Sequence, residues 1–231
     1  MSIETVSMNI IARIHTDFAS KFGVPKQSGI VSDLKGRIVF EPEYRNADAV
    51  RGLEEFSHIW ILWQFSGAVR QSWSPTVRPP RLGGNRRIGV FASRSPFRPN
   101  HIGLSSVQLE RVEISPEHGP VLHVLGADLM DGTPIFDIKP YIAYADSHPE
   151  ATGGFTDRVQ ARTLEPVIPP ELLGKVPGDK RDALLGVLAH DPRPTYQDDP
   201  ERIYGFGFSG MEIKFRAADG KLYVLDIQAN Q

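Results

Sequence analysis

An arginine-rich stretch between Phe56 and Leu109 has the composition of an anion-binding site. It contains seven arginines, no lysine and no aspartate or glutamate, a local charge of +7 in a protein of net charge -2. A guanidinium group is planar and forked, so it pairs well with phosphate and carboxylate groups. Frequent glycine and proline predict shaped loops there. The arginines are Arg70, Arg78, Arg81, Arg86, Arg87, Arg94 and Arg98.

Two roles are open to these arginines. Some can contact a ligand, and others can tie loop carbonyls together or cross a subunit interface, because buried loop backbone needs hydrogen-bond partners. We expect about half of them to be structural, on that requirement alone. Arg94 and Arg98, which flank Ser95-Pro96-Phe97, are the preferred ligand contacts.

Two further segments carry groups capable of chemistry. His58 and Trp60 alternate along a strand-like run and should point to the same side, although core packing alone could explain them. The segment from Asp128 to Tyr141 concentrates three carboxylates and a lysine between apolar runs. A turn there could deliver Asp128, Asp131 or Lys139 to a cleft, or could reflect only the turn preference of aspartate.

Several classes of function are disfavoured by composition. The chain has no cysteine, so thiolate metal sites, iron–sulfur clusters and cysteine nucleophiles are excluded. The histidines lack a metal-binding spacing, and no catalytic metal is expected. GFGFSG at 205–210 matches a dinucleotide-binding fingerprint by letter, but a strand-like run follows it instead of a helix. With no membrane span or signal sequence in evidence, a cytoplasmic location is expected.

The elements that must position these groups are mainly β-strands. Residues 1–145 predict an antiparallel β-barrel-like domain, in which HIWILWQF is apolar on both faces and should be a central buried strand. Residues 146–178, rich in proline and glycine, predict a linker. Residues 179–231 predict a small α+β domain, with a helix capped by Asp179 and a terminal hairpin. The candidate strands are VSMNIIARIH, GRIVFEP, HIWILWQF, RIGVFAS, LSSVQLERVEI, VLHVLGADL and TPIFDI.

These segments resemble the TsaA-like family, the tRNA N6-threonylcarbamoyladenosine methyltransferases. The resemblance is carried by VPKQSGI (24–30), YRNADAVRGLEEFSHIWILWQF (44–65), RPPRLGGNRRIGVFASRSPFRPNHIGLS (78–105), LGADLMDGTPIFDIKPY (125–141) and DPRPTY (191–196). It implies a β-barrel-like catalytic domain, S-adenosylmethionine as methyl donor, a homodimer, and methylation at N6 of threonylcarbamoyladenosine beside the anticodon of a tRNA.

The resemblance also implies site residues. The cofactor would be contacted by Pro25, Lys26, Gln27, His58, Ile59, Trp60, Arg94, Leu104, Asp128, Leu129, Met130 and Asp131. Candidates for RNA phosphates are Arg78, Arg81, Arg86, Arg87, Arg98 and Arg193, although Arg193 in DPRP could instead be a clamp after the helix. Arg193, Tyr196, Lys214 and Arg216 lie close in sequence and suggest that the C-terminal domain docks tRNA, in which case deleting it should spare cofactor binding.

For the reaction we hypothesise in-line transfer of a methyl group to N6, with a base to receive the departing proton. Asp128, Asp131 and His58 are the candidate bases, and Asp131 is preferred because a turn should present it outward. Two other functions remain open at this stage. One is a non-catalytic RNA- or anion-binding β module, and the other is a methyltransferase for a small molecule.

Overall fold

The computed structural model describes residues 4–68, 72–79, 82, 86–158, 163–193 and 199–230. The strands are β1 (Ala12–His15), β2 (Lys35–Phe40), β3 (His58–Gln64), β4 (Thr76–Val77), β5 (Ile88–Gly89), β6 (Ile102–Ser115), β7 (Gly119–Leu125), β8 (Thr133–Pro140), β9 (Glu165–Val167), β10 (Tyr204–Phe208), β11 (Met211–Ala218) and β12 (Lys221–Ala229). The α-helices are α1 (Ala143–Asp146), α2 (Pro170–Leu173) and α3 (Arg181–Ala189). None of the helices in these ranges is long and apolar enough to cross a membrane.

Short 3-10 helices connect several of the strands. Within the described ranges they lie at Pro42–Tyr44, Ala47–Val50, Leu53–Glu55, Ser66–Ala68, Val90–Ala92, Gly154–Arg158 and Gly178–Lys180.

Six strands form a closed antiparallel barrel in the order β1-β2-β7-β6-β3-β8. Pairing of β1 with β8 closes it, with Ala12 opposite Ile135. Its core is built from side chains that alternate inward, including the fully buried Ile14, Ile38 and Ile61. The mainly β prediction, with an antiparallel barrel followed by a small second domain, is therefore confirmed.

Three strand predictions need correction. VSMNIIARIH (6–15) forms a strand only over Ala12–His15. HIWILWQF is not buried on both faces, because Ile59, Ile61 and Trp63 are buried while the alternate residues of β3 are partly exposed. RIGVFAS contributes only the two-residue β5, and its remainder turns into the 3-10 helix Val90–Ala92. A closed barrel gives each strand an inner and an outer face, so the outer face stays available for a site.

The C-terminal residues form a four-stranded sheet of order β10-β11-β12-β9. GFGFSG is strand β10 followed by a tight turn in which Ser209 and Gly210 have φ of 50° and 72°. Two positive φ values suit a hairpin turn whose twist matches the strands, and β11 follows directly. The match to a dinucleotide fingerprint therefore has no structural counterpart.

Part of the predicted linker is structured. Within 146–178, β9 pairs in parallel with β12, and α2 packs near the same sheet. The predicted helix is α3, but its N-cap residue is Lys180, which forms no side-chain cap, so Asp179 does not cap it. A 3-10 turn over Gly178–Lys180 leads into the helix instead.

Residues 16–34, which we call the wall segment, cross from the barrel to the C-terminal core. Phe18, Val31 and Leu34 are buried in the same hydrophobic cluster as the sheet β10-β11-β12 and helix α3. The ring of Phe18 packs edge-on against Phe208 at 5.5 Å between centroids. The C-terminal domain is therefore packed through its own core against a segment that belongs, in sequence, to the first domain.

Candidate functional site

A cavity of about 500 Å³ lies where the wall segment and the arginine-rich loop meet the barrel. Its lining comes from four places in the chain, and among the described residues it comprises Lys21, Val24, Pro25, Lys26, Gln27, Trp60, Trp63, Gln64, Phe65, Ser66, Gly67, Ser93, Arg94, Pro96, Arg98, Ile102, Gly103, Leu104, Asp128, Leu129, Met130 and Thr133. Its volume falls within the range of small-molecule and cofactor pockets.

One carboxylate reaches this cavity through a chain of hydrogen bonds. Trp63 Nε1 donates to Ser105 Oγ at 3.0 Å, and Ser105 Oγ donates to Asp128 Oδ1 at 2.6 Å. Burial raises the pKa of the Asp128 carboxyl, opposed by the hydrogen bond from Ser105 and by the nearby charge of Arg94. The cavity thus holds a carboxylate that is more basic than an ordinary aspartate and is fixed by the hydrogen bond from Ser105.

Three cationic side chains line the same cavity, from two segments of the chain. Lys21 and Lys26 line the cavity from the wall segment, and Arg94 lines it from the arginine-rich loop. The Arg94 guanidinium also donates to Gln27 Oε1, which connects the two loops across the cavity. A small anionic group such as a carboxylate would meet cations here, and hydroxyl groups would meet Asp128.

Aromatic rings form a third part of the lining. Trp63 and Phe65 pack edge-on with centroids 4.3 Å apart. Trp60 is held by a hydrogen bond from its Nε1 to Asp146 Oδ2 at 3.0 Å and by contact with Tyr141, whose ring centroid lies 5.6 Å away. Rings fixed in this way offer faces to a flat apolar group such as a heterocycle.

The position of Trp63 depends on a glycine in the neighbouring strand. Gly103 lies opposite Trp63 in the register of β3 and β6, and a Cβ at Gly103 would be 2.3 Å from Trp63 Cε2. We expect Gly103→Ala to displace the indole, destabilise the fold by about 2 kcal/mol and weaken ligand binding in the cavity. Thermal unfolding and a binding titration would measure both effects.

Gly89→Ala is the matched control, because nothing lies within 4 Å of its Cβ position and its φ is -59°. Equal stability and binding in both variants would contradict this account of Gly103.

Nine of the twelve residues predicted to contact a cofactor line this cavity. They are Pro25, Lys26, Gln27, Trp60, Arg94, Leu104, Asp128, Leu129 and Met130. His58, Ile59 and Asp131 are not among the described lining residues. Ile59 is fully buried in the barrel core. His58 Nδ1 lies 3.0 Å from Ser57 Oγ.

The geometry changes the order of preference among the candidate bases. The Asp131 carboxylate is 3.1 Å from His15 Nδ1 and accepts from the backbone N–H of Thr16 at 3.1 Å. These contacts fix the turn before β8, and Asp131 is not among the described residues that line the cavity. Asp128, three residues earlier, is the carboxylate that the cavity contains.

The arginines divide between structural and exposed positions. Arg98 lines the cavity but donates to the carbonyl oxygens of Val90 and Ser93, so it holds its own loop. Arg87 is exposed and donates to Thr76 Oγ1 at 3.2 Å. Arg78 and Arg86 are also exposed, whereas Arg70 and Arg81 lie outside the described residues.

Arg193 fits the alternative interpretation as a clamp. Its side chain is 6% exposed, and Nε and Nη2 donate to the two carboxylate oxygens of Asp191 at 2.8 and 2.9 Å. A guanidinium buried in this way is not presented to RNA phosphates at the surface. Tyr196, named with it in the docking prediction, lies outside the described residues.

The most important site residues that the sequence analysis missed are Trp63, Gly103 and Ser105. Trp63 falls on the buried side of its strand, as core residues do. Nothing in the sequence around Ser105 distinguishes this serine from other serines in strands. The signal lies in their pairing, because Trp63 faces Gly103 across β3 and β6 and reaches Ser105 two residues further on. Strand register would have been needed to see it.

Two family profiles match the chain, one in each of its two domains. The profile of the tRNA-methyltransferase O N-terminal domain matches residues 13–147. The profile of the TrmO C-terminal domain matches residues 175–230.

Individual proteins agree with the profiles. The tRNA (adenine(37)-N6)-methyltransferase of Escherichia coli K12 is 39% identical over 226 residues, which cover 94% of this chain and 96% of the relative. The Eikenella corrodens protein of the same name is 45% identical over 175 residues, 75% of this chain and 98% of the relative. A crystal structure of TrmO from Pseudomonas aeruginosa has 29% identity and a TM-score of 0.78, and the match covers 98% of this chain and 100% of that chain. The chain therefore belongs to the tRNA-methyltransferase O family.

Proposed function

We propose that this protein transfers a methyl group from S-adenosylmethionine to N6 of an adenine in tRNA, next to the anticodon. The observation that carries the proposal is the cavity, in which a basic carboxylate, Asp128, lies among cations and aromatic rings in a chain of this family. We further propose that the adenine already carries threonylcarbamoyl, that the protein acts as a homodimer, and that it works in the cytoplasm, where its tRNA substrate is found.

The donor set of the cavity fits the proposed cofactor. S-Adenosylmethionine has a carboxylate, ribose hydroxyls and an adenine ring, and when bound it supplies an electrophilic methyl group. Lys21, Lys26 and Arg94 would hold the carboxylate, since all three line the cavity. Trp60 and Trp63 provide apolar ring faces for the heterocycle.

Asp128 is the proposed acceptor of the N6 proton. In threonylcarbamoyladenosine N6 is urea-like, with its lone pair delocalised, so it is a poor nucleophile until the proton is drawn away. Burial raises the pKa of Asp128, which makes the carboxylate a stronger base, while Ser105 fixes its orientation. The enzyme would otherwise contribute positioning, by holding the methyl donor and N6 next to each other.

Nucleoside analysis of cellular tRNA tests the proposal. Cells that lack this gene should contain threonylcarbamoyladenosine without its N6 methyl group, and expression of the wild-type chain should restore the methylated nucleoside. Expression of Asp128→Asn should not restore it. If the methylated nucleoside persisted in the deletion strain and did not respond to expression, the assignment of this tRNA substrate would be wrong.

A further inference from the structure

Two large aromatic side chains lie exposed and stacked beside the cavity. Trp73 is 50% exposed and Phe91 is 72% exposed. Their ring centroids are 6.2 Å apart and their planes differ by 29°. We call this pair the aromatic platform. Contiguous exposed apolar groups, unlike scattered single ones, mark interaction sites.

The platform is held by a defined local structure. Trp73 precedes β4 and Phe91 follows β5, and the two short strands pair with each other. The backbone N–H of Val90 donates to the Pro75 carbonyl at 3.0 Å, and the Val90 side chain is buried at 1% exposure. Val90 therefore anchors the turn, and the next residue, Phe91, is directed to the surface.

One arginine connects the platform to the cavity. The Arg98 guanidinium carbon lies 5.8 Å from the centroid of the Phe91 ring, a cation–π arrangement, and Arg98 also lines the cavity. Its bonds to the Val90 and Ser93 carbonyls span the turn between the two features. The platform is thus a direct neighbour of the proposed reaction site.

The chain segment that carries the platform is rich in arginine. Arg78, Arg86 and Arg87 are exposed on the segment that contains Trp73 and Phe91. The sequence from Ser57 to Gln108 has no acidic residue to balance them. A partner that covers this surface should offer both a flat apolar face and negative charge. Unpaired nucleotides combine both, because each base has a π-face and each phosphate carries a negative charge.

We propose that the aromatic platform stacks an unpaired base of the RNA substrate while the neighbouring arginines hold its phosphates. This inference rests on the proposed function and adds how the substrate is selected. Stacking requires a base that is not enclosed in a helix, so the platform favours a loop over a duplex. The arginines contact only the phosphates, so they bind a loop and a duplex alike.

Binding of two RNA hairpins to the full-length protein tests the platform. One hairpin has an unpaired anticodon-type loop, and the other has the same stem closed by a minimal loop. We expect Phe91→Ala and Trp73→Ala each to weaken binding of the first by about tenfold and to leave the second unchanged. Arg86→Gln should weaken binding of both hairpins and reduce the salt dependence of the affinity.

Three controls separate stacking from other causes. Phe91→Tyr keeps an aromatic face and should retain the loop preference, whereas Phe91→Leu should lose it. Ile114→Ala removes an exposed apolar side chain at the far end of β6 and should have no effect. Cofactor affinity and thermal unfolding of Phe91→Ala should stay close to those of the wild type, because Phe91 is 72% exposed and is not among the described residues that line the cavity.

Three results would overturn the inference. Unchanged RNA affinity in Phe91→Ala is one, and equal loss of affinity for both hairpins is another. The third is dissociation of a dimer by Phe91→Ala in sedimentation, which would assign the platform to a second copy of this chain. Methyl transfer to tRNA by the wild-type protein is measured in parallel, so failure of the proposed function is recognised separately from failure of stacking.

Discussion

Asp128→Asn should lower the single-turnover rate of methyl transfer by about 100-fold or more, because a positioned base contributes a factor of this order. Asparagine keeps the size of the side chain and can still accept the hydrogen bond from Ser105, so the cavity should keep its shape. We expect cofactor affinity to change by much less than the rate. Single-turnover reactions with enzyme in excess measure the rate, and a binding titration measures the cofactor affinity.

The same variant should be at least as stable as the wild type at neutral pH. Burial raises the pKa of Asp128, so the folded protein holds that proton more tightly than the unfolded chain does. Stability from this group is therefore greatest at low pH and falls as pH rises through the raised pKa. At neutral pH the ionised carboxylate is a cost that asparagine removes. Activity should show the opposite trend, rising with pH as Asp128 ionises.

Asp131→Asn is the matched control for this experiment. Its carboxylate contacts His15 and the Thr16 N–H outside the cavity lining, so the variant should keep most of the single-turnover rate. A wild-type rate in Asp128→Asn, or a loss confined to cofactor affinity, would contradict the role of Asp128 as base. A selective loss of rate in Asp131→Asn would restore the preference drawn from the sequence.

Lys180→Met should weaken cofactor binding although Lys180 is not among the described residues that line the cavity. Lys180 Nζ donates to both carboxylate oxygens of Asp17 at 2.8 and 2.7 Å, and the two side chains are only 21% and 11% exposed. Removing the cation would leave a largely buried carboxylate without its partner, at an expected cost of about 2 kcal/mol. Asp17 lies near the start of the wall segment, which contributes Lys21, Pro25 and Gln27 to the cavity.

We expect cofactor affinity of Lys180→Met to fall by about tenfold, which corresponds to part of that cost. Lys180→Arg should retain the wild-type affinity, and adding Asp17→Asn to Lys180→Met should recover stability by removing the unpaired charge. Lys221→Met breaks an exposed ion pair with Glu165 in the same domain and should have little effect on either quantity. Unchanged cofactor affinity in Lys180→Met would show that the Lys180–Asp17 ion pair does not control the cavity.

The Lys180–Asp17 ion pair also revises the expectation that the C-terminal domain can be deleted without affecting cofactor binding. Deletion after residue 165 would uncover Phe18, Val31 and Leu34, whose burial depends on α3 and the second sheet. Gly23 also packs closely against β10, because a Cβ at this position would lie 2.4 Å from Phe206 Cδ2. A truncated chain should therefore lose cofactor binding together with any contact that the C-terminal domain makes to tRNA.

Local patterns in the sequence were enough to predict the barrel strands and the arginine-rich loop. The β-type runs in the segments of β6, β7 and β8 and the turn at Asp131-Gly132 are short-range signals, and the structure follows them. Charge and loop composition likewise pointed to Arg94, which lines the cavity. The resemblance to a known family identified the wall residues Pro25 to Gln27.

The features that escaped prediction depend on contacts distant in sequence. Asp17 and Lys180 are separated by 163 residues, and only the folded chain brings them together. The β3–β8 pairing shifts register between Leu62 and Trp63, which no local pattern reveals. Asp128 and Asp131 also look equivalent in sequence. In the fold, the Asp128 carboxylate is buried beside Ser105, whereas the Asp131 carboxylate is partly exposed beside His15.

Transfer of labelled methyl from S-adenosylmethionine to purified tRNA tests the central claim most directly. Two tRNA preparations are compared, one from cells that lack this gene and one that never received threonylcarbamoyl. The account predicts label in the first only, recovered after digestion as adenosine methylated at N6. Label in neither preparation, with the cofactor bound, would contradict the assigned substrate, and no cofactor binding would contradict the methyltransferase itself.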